Sequence, residues 1–407
     1  MPRTRYILSA IAALIIIAAL IIIAAIPANA TDKNGGTVSL CAQPDTLEVI
    51  TAKETTKKRN VFQKVYHYFA DANKESNKKF DVSVIGGPHY ASDTKLGLGI
   101  VAAGVYSTNR KDPLTPKSNI SLFSDVTTTG FYMLGVRGNN IFTREKWRID
   151  YTLYFFSFPS AFWGVGFNHG NNDNNSTDYL RLQAQVKADF MFKITNKLYV
   201  GPTASYEFSQ GKKFKEKGLE LLGDNEKITR YSSLGALVSY DSRDFIPNAY
   251  KGIFVKLIQK GYTNFSGKPF WGTYFTLDYY QRAWKGAVFA FDLYGELQYG
   301  DVPWTMKSKL GGSYRMRGYY EGRYRDDNSL SLQAEYRQKI YNRHGIAVWA
   351  GCGTVWGKQV PFSWKHILPN YGIGYRWEFK NRMNVRLDYG FGKNGQSSFL
   401  FSINEAF

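Results

Sequence analysis

Residues 370 to 407 alternate apolar and polar side chains almost without a break. Tyr371, Ile373, Tyr375, Trp377 and Phe379 fall on one side of an extended chain, and Gly372, Gly374, Arg376, Glu378 and Lys380 on the other. The next stretch sets Val385, Leu387, Tyr389 and Phe391 against Asn384, Arg386 and Asp388, and the last gathers Phe399, Phe401, Ile403 and Phe407. A period of two means strands with one greasy and one charged face. A soluble sheet with a single buried face has the same period. The aromatic load and the terminal Phe407 favour a wall with lipid outside and a polar lumen inside, Phe407 acting as the C-terminal barrel signal.

Composition narrows the choice. Aromatic residues make up 16% of the 407, with 29 Tyr and 28 Phe, a density that suits interfacial girdles. Mean hydropathy is −0.34, and beyond residue 30 no apolar run reaches the roughly 20 residues a spanning helix needs. A membrane reading therefore requires a closed barrel. At the N-terminus, Arg3 and Arg5 precede an apolar stretch from Ile7 to Ile26 and the small-x-small sequence Ala28-Asn29-Ala30. This predicts an exported protein with a signal peptide at 1–30 cleaved after Ala30; the long apolar core leaves an uncleaved anchor as the alternative. The expected location is the bacterial outer membrane.

Two cysteines, Cys41 and Cys352, make no disulfide framework and are read as free thiols, with a single pairing of the two as the alternative. Leu40 stands before Cys41 where lipidation would need a small residue. The net charge of +19 would suit nucleic acid, but an exported barrel meets none. Anionic lipopolysaccharide, outer-membrane lipids and a polar lumen account for it instead.

Residues 31–78 are polar and lysine-rich, with Val61, Phe62, Val65, Tyr66 and Phe69 at helical spacing. They read as a periplasmic linker with one short amphipathic helix, either tucked against the barrel mouth or binding a partner, and too small for a core of its own. From residue 79 to 407 the chain is strands and turns, an all-β transmembrane antiparallel barrel. At about 20 residues per strand and connection it divides into sixteen strands, with fourteen the neighbouring count. Thr195-Asn196 and Asn381-Arg382 read as tight periplasmic turns, and 168–178, 211–227 and 300–328 as surface loops.

The longest loop holds Gly311-Gly312-Ser313-Tyr314-Arg315-Met316-Arg317-Gly318-Tyr319-Tyr320, then Glu321-Gly322-Arg323-Tyr324-Arg325-Asp326. A solvated loop has no need of four arginines among four tyrosines. Folded into the lumen, the guanidinium groups gain inward carboxylates and ring faces. Strand parity supplies the acids: Asp292, Glu296, Glu335, Glu378 and Asp388. The five histidines, at 67, 89, 169, 344 and 366, accompany no nucleophile motif and no metal-ligand spacing, so neither an enzyme nor a metal site is expected.

At this point the chain resembles the BamA/TamA outer-membrane assembly barrels. Arg317-Gly318-Tyr319 is similar to the Arg-Gly-aromatic signature of that family's sixth extracellular loop. Tyr240-Asp241-Ser242-Arg243-Asp244 with Pro247 and Gly252 resembles its Tyr-Asp-x-Arg-Asp pattern, Asp241, Arg243 and Asp244 being the matching residues. Ala334-Glu335-Tyr336-Arg337, Val355-Trp356 and the stretch from Arg386 to Gly392 follow in family order, and Phe162-Trp163-Gly164-Val165-Gly166 is reminiscent of a short branch lacking periplasmic domains. Two departures stand out. The segment 31–78 is too short for a POTRA domain, and Gly351 stands where the family often has an acid facing the loop arginine. Glu335 and Asp388 are the first candidate partners for Arg317, with Glu378 a third.

The resemblance implies a barrel that assists insertion or translocation of outer-membrane proteins or lipids, acting at the seam between first and last strands. It implies no cofactor. Its partners would be unfolded outer-membrane clients and a separate POTRA-bearing or lipoprotein chain. A passive pore on the same scaffold is the alternative, since fold does not fix function.

Overall fold

The structure is a computed structural model that describes residues 80–91, 95–109, 115–246, 248–264 and 268–407. The expected signal peptide at 1–30, the linker at 31–78 with Cys41, and Pro247 lie outside the described residues.

Sixteen strands make one antiparallel sheet in chain order, the number the sequence predicts. They are β1 (Phe80–Ala91), β2 (Lys95–Tyr106), β3 (Ser118–Thr127), β4 (Tyr132–Ile141), β5 (Trp147–Phe162), β6 (Thr177–Thr195), β7 (Leu198–Lys212), β8 (Ile228–Asp241), β9 (Gly252–Thr263), β10 (Phe270–Arg282), β11 (Ala287–Gly300), β14 (Asn328–Tyr341), β15 (His344–Trp356), β16 (Leu368–Lys380), β17 (Met383–Phe391) and β18 (Ser397–Ile403). Two further short strands, β12 (Ser308–Lys309) and β13 (Arg325–Asp326), pair with each other inside the longest loop. A tilted strand crosses a bilayer in about 9–11 residues. At 16, 19 and 15 residues, β5, β6 and β7 carry the wall past that thickness.

The shortest and the longest connections fall on opposite rims. One rim has two-residue turns, Asn342-Arg343 after β14 and Asn381-Arg382 after β16; the other has residues 213–227 and 301–327. Short turns mark the periplasmic rim of such a barrel and long loops the outer one. The turn after β6 falls at Asn196-Lys197, one residue beyond the expected position.

Along β8 exposure alternates residue by residue: Leu234, Ala236 and Val238 face out, Ser233, Leu237 and Ser239 face in. Leu234 is 74% exposed, a cost in water and none in hydrocarbon. Aromatic residues collect at both rims. Trp284, Phe289 and Tyr336 cluster near the short turns with centroids 5.2 to 6.4 Å apart, as do Trp147 and Phe192 at 6.0 Å. Trp271 pairs across the ladder with Tyr299, and Tyr371 with Phe391, at the opposite rim. Two aromatic belts around an apolar band are the outer surface of a membrane barrel.

The sheet has two edges, β1 and β18. Among the described residues no ladder joins them, although their Cα atoms come within 8 Å.

Placing a charge on this outer band tests its contact with lipid. Leu234→Arg is expected to destabilise the protein by about 2–4 kcal/mol if it sits near the bilayer midplane. Urea titration of folding in liposomes measures this, with Leu219→Arg, on the loop helix Glu216–Leu222, expected to be near neutral.

Candidate functional site

The loop from 301 to 327 enters the lumen instead of standing in solvent. Its tip is Met316-Arg317-Gly318-Tyr319, and all three side chains in it are buried, Arg317 to 0% exposure. Burying a guanidinium costs several kcal/mol unless it is paired. Here Arg317 Nη1 donates to Asp388 Oδ2 at 2.8 Å and Nη2 to Glu335 Oε2 at 2.5 Å. The guanidinium carbon also lies over the Trp349 indole, 3.7 Å from its centroid. Three strands, β14, β15 and β17, thus grip one side chain.

Backbone contact fixes the tip as firmly as charge does. Gly318 has φ +123, which L side chains rarely adopt, and a Cβ there would come within 2.7 Å of the Phe391 backbone. Opposite it, a Cβ on Gly390 would meet the Arg317 carbonyl oxygen at 2.3 Å. The glycines near the last turn therefore serve the loop as well as the turn. Tyr319 OH donates to Pro369 O at 2.6 Å and accepts from Lys393 N–H at 2.7 Å. Burial pushes its phenol up to about 12, so it keeps the proton it donates.

The other loop arginines are each engaged. Arg315 binds both oxygens of Asp292 and lies 4.0 Å above the Tyr294 ring. Arg323 donates to Gly170 O and Asp173, in the β5–β6 connection. Arg325 stacks over Phe162 and donates to Gly322 O. The segment from Phe162 to Gly166 packs against this loop, with Gly166 N–H donating to Arg325 O. Phe162, Tyr179, Leu222 and Trp304 form an apolar cap joining three outer connections. Loop tip and cap are both buried inside the wall.

Around Arg317 lies a wider network. Asp388 also accepts from Arg376 and Arg386, and Glu335 from Arg337. Gly351 has no room for an acid: a Cβ would meet Leu332 O at 2.5 Å and Asn370 Oδ1 at 2.7 Å. Glu378 is not a partner of Arg317. It pairs with Lys339 and accepts from Arg382 N–H, because it lies two residues, about 7 Å, beyond Arg376 toward the short-turn rim.

Phe407 departs from the sequence pattern too. β18 stops at Ile403, Asn404 takes φ 66, and the tail turns inward. Glu405 is buried between Arg376 and Asn384, at 2.8 and 2.6 Å. The Phe407 ring lies 5.3 Å from the Arg337 guanidinium and 6.4 Å from Tyr280. Arg376 and Arg386 were on the polar face by parity alone, so their inward position was legible. Trp349 and Glu405 were missed. Trp349 was masked by its apolar character, and Glu405 lies past the end of the alternation.

Asp241 and Arg243 form a two-point pair at 2.9 and 2.8 Å, with Arg243 over Phe254, at the short-turn end of β8. Asp244 sits in the following connection.

The Omp85 superfamily domain matches residues 137–407. The chain belongs to the Omp85 superfamily. Among solved structures it resembles BamA from Haemophilus ducreyi lacking POTRA domains 1-3, at 11% identity and TM-score 0.51, over 81% of this chain and 71% of that one. It also resembles CdiB from Acinetobacter baumannii, at 11% identity and TM-score 0.54, over 81% of this chain and 60% of that one. This Omp85 barrel thus spans less than two thirds of that CdiB chain. At such identity the likeness is one of fold. No curated protein matches the chain.

Arg317→Ala is expected to cost about 3 kcal/mol, because it leaves two buried carboxylates short of a cation. The gel temperature at which the folded band shifts to the unfolded position should fall. Arg317→Lys should not restore it, since an ammonium cannot bridge two acids while lying on an indole.

Proposed function

We propose that this Omp85 barrel assists the insertion or translocation of outer-membrane proteins or lipids. The observation that carries the reading is the pair of strand edges, β1 and β18, side by side and without a ladder among the described residues. Each edge presents backbone N–H and C=O groups that an incoming strand can pair with. β18 has seven residues where β16 has thirteen, so little ladder stands to be broken at that side. The inserted loop weighs against a passive pore: Arg317, Tyr319 and Tyr324 are buried where a channel would need water.

Residues of the lumen hold the loop, and the edges act. Arg317, with Gly318 and Tyr319, is the loop anchor, and Glu335 and Asp388 are its partners in the wall. The clients are unfolded outer-membrane chains, and the barrel works in an outer membrane rich in anionic lipopolysaccharide after export by its N-terminal signal. A POTRA-bearing or lipoprotein partner would deliver them. Catalysis is not part of this reading.

The test is reconstitution of the protein in liposomes and measurement of how fast an unfolded outer-membrane client folds into them. Acceleration beyond both empty liposomes and a porin of similar size is expected. A rate equal to the porin control would overturn the reading for the barrel acting alone, and adding a POTRA-bearing partner would then decide between a dependent insertase and a passive barrel.

A further inference from the structure

We propose that the connection between β8 and β9 is a gate across the periplasmic mouth of the lumen, and that Arg382 is its latch. The connection, residues 242–246 and 248–251, is tucked in where a turn would normally hang in solvent: Asn248 is 5% exposed and Ala249 1%. Ala249 packs on Tyr280 and Ala290 of the β10–β11 wall, with Phe407 beside them.

The opposite side is held differently. Arg382 Nη2 donates to Asp244 Oδ2 at 2.9 Å and to Asn248 O at 2.6 Å. Its guanidinium lies 4.0 Å from the Tyr250 centroid and 4.9 Å from that of Phe245. Asp244 in turn orders the connection, its Oδ1 accepting from Tyr250 N–H at 2.9 Å and Lys251 N–H at 3.3 Å. One side chain from the β16–β17 turn therefore touches four residues of the β8–β9 connection.

The position of Arg382 is a strained one. The residue occupies a two-residue turn with φ +57, where glycine or asparagine is the low-strain choice. An arginine kept there does nothing for the turn itself, and its contacts all run to the gate or its own rim.

The seat is also incomplete. A cavity of about 40 Å³ lies against Asn248 and Tyr250, lined on the wall side by Arg337, Lys339, Glu378 and Glu405. That volume exceeds the ~10–15 Å³ one water requires. The gate is packed and apolar where Ala249 meets the β10–β11 wall, and elsewhere it is held across a cavity by the polar contacts of Arg382, an arrangement that swings about the first when the second lets go. The outer loop is held by Arg317 and the gate by Arg382, so the two mouths are closed by separate devices. The test reads access to the lumen and does not depend on insertion or translocation activity.

A reporter cysteine is placed under the gate, Ala290→Cys in a Cys41→Ser, Cys352→Ser background, and its labelling by a membrane-impermeant maleimide is timed on the folded protein. Arg382→Gly suits the left-handed turn and removes only the latch; it should speed labelling about ten-fold, the scale of one lost charge-assisted contact. Asp244→Asn keeps the oxygen that orders the turn and removes the charge, and should speed labelling by a smaller factor. Unchanged rates in both variants, or labelling already as fast with Arg382 present as in unfolded protein, would overturn the gate. Should Arg382→Gly fail to give a folded band on gels, the Asp244→Asn rate alone decides.

Discussion

The interior of this barrel depends on one buried cation shared between two strands that are not neighbours. Arg317 reaches Asp388 on β17 and Glu335 on β14 while covering Trp349 on β15. Each carboxylate would be costly to bury alone, and so would the guanidinium. Together they fix where the loop tip stands, and the Gly318–Gly390 backbone contact sets how close it comes. The cap over the outer mouth is built on that placement, through Arg323, Arg325 and Tyr320, whose hydroxyl accepts from Ala161 N–H.

Membership in the Omp85 superfamily and the barrel likeness to BamA and CdiB agree with this architecture. They leave the chain's own features to be argued from its residues. The wall arginines exceed what one loop needs: Arg337, Arg376 and Arg386 surround the same two acids and Glu405. Such a cluster leaves every acid paired, which is the requirement for holding charge away from water.

Much of the fold could be read from the chain because its period of two is a direct imprint of lipid on one side and lumen on the other. The alternation in β8 and β14 carries that imprint without ambiguity, and in β16 it holds through Trp377 until a register shift between Glu378 and Lys380 leaves Phe379 buried and not on the lipid face; the long loop announced itself by its arginines. What escaped was set by contacts across the lumen, which have no sequence period. Trp349 looks like any apolar strand residue until a guanidinium lies on it. Glu378 and Asp388 both sit on polar faces, and only their depth along the strand decides which meets Arg317. Phe407 keeps the parity of Phe399 and Phe401, yet the bend at Asn404 cancels parity. Gly390 read as turn punctuation, and the loop backbone resting on it is what its bareness serves.

The three-strand grip on Arg317 has a consequence for how the molecule comes together. A guanidinium paired to only one of its two acids, in a half-built wall, bears most of its desolvation cost with part of its compensation. States with the loop inside and β17 absent are therefore poor, and so are states with the wall complete and its acids facing an empty lumen. Loop entry and completion of the β14–β17 wall are therefore energetically coupled, each making the other favourable through the contacts of Arg317.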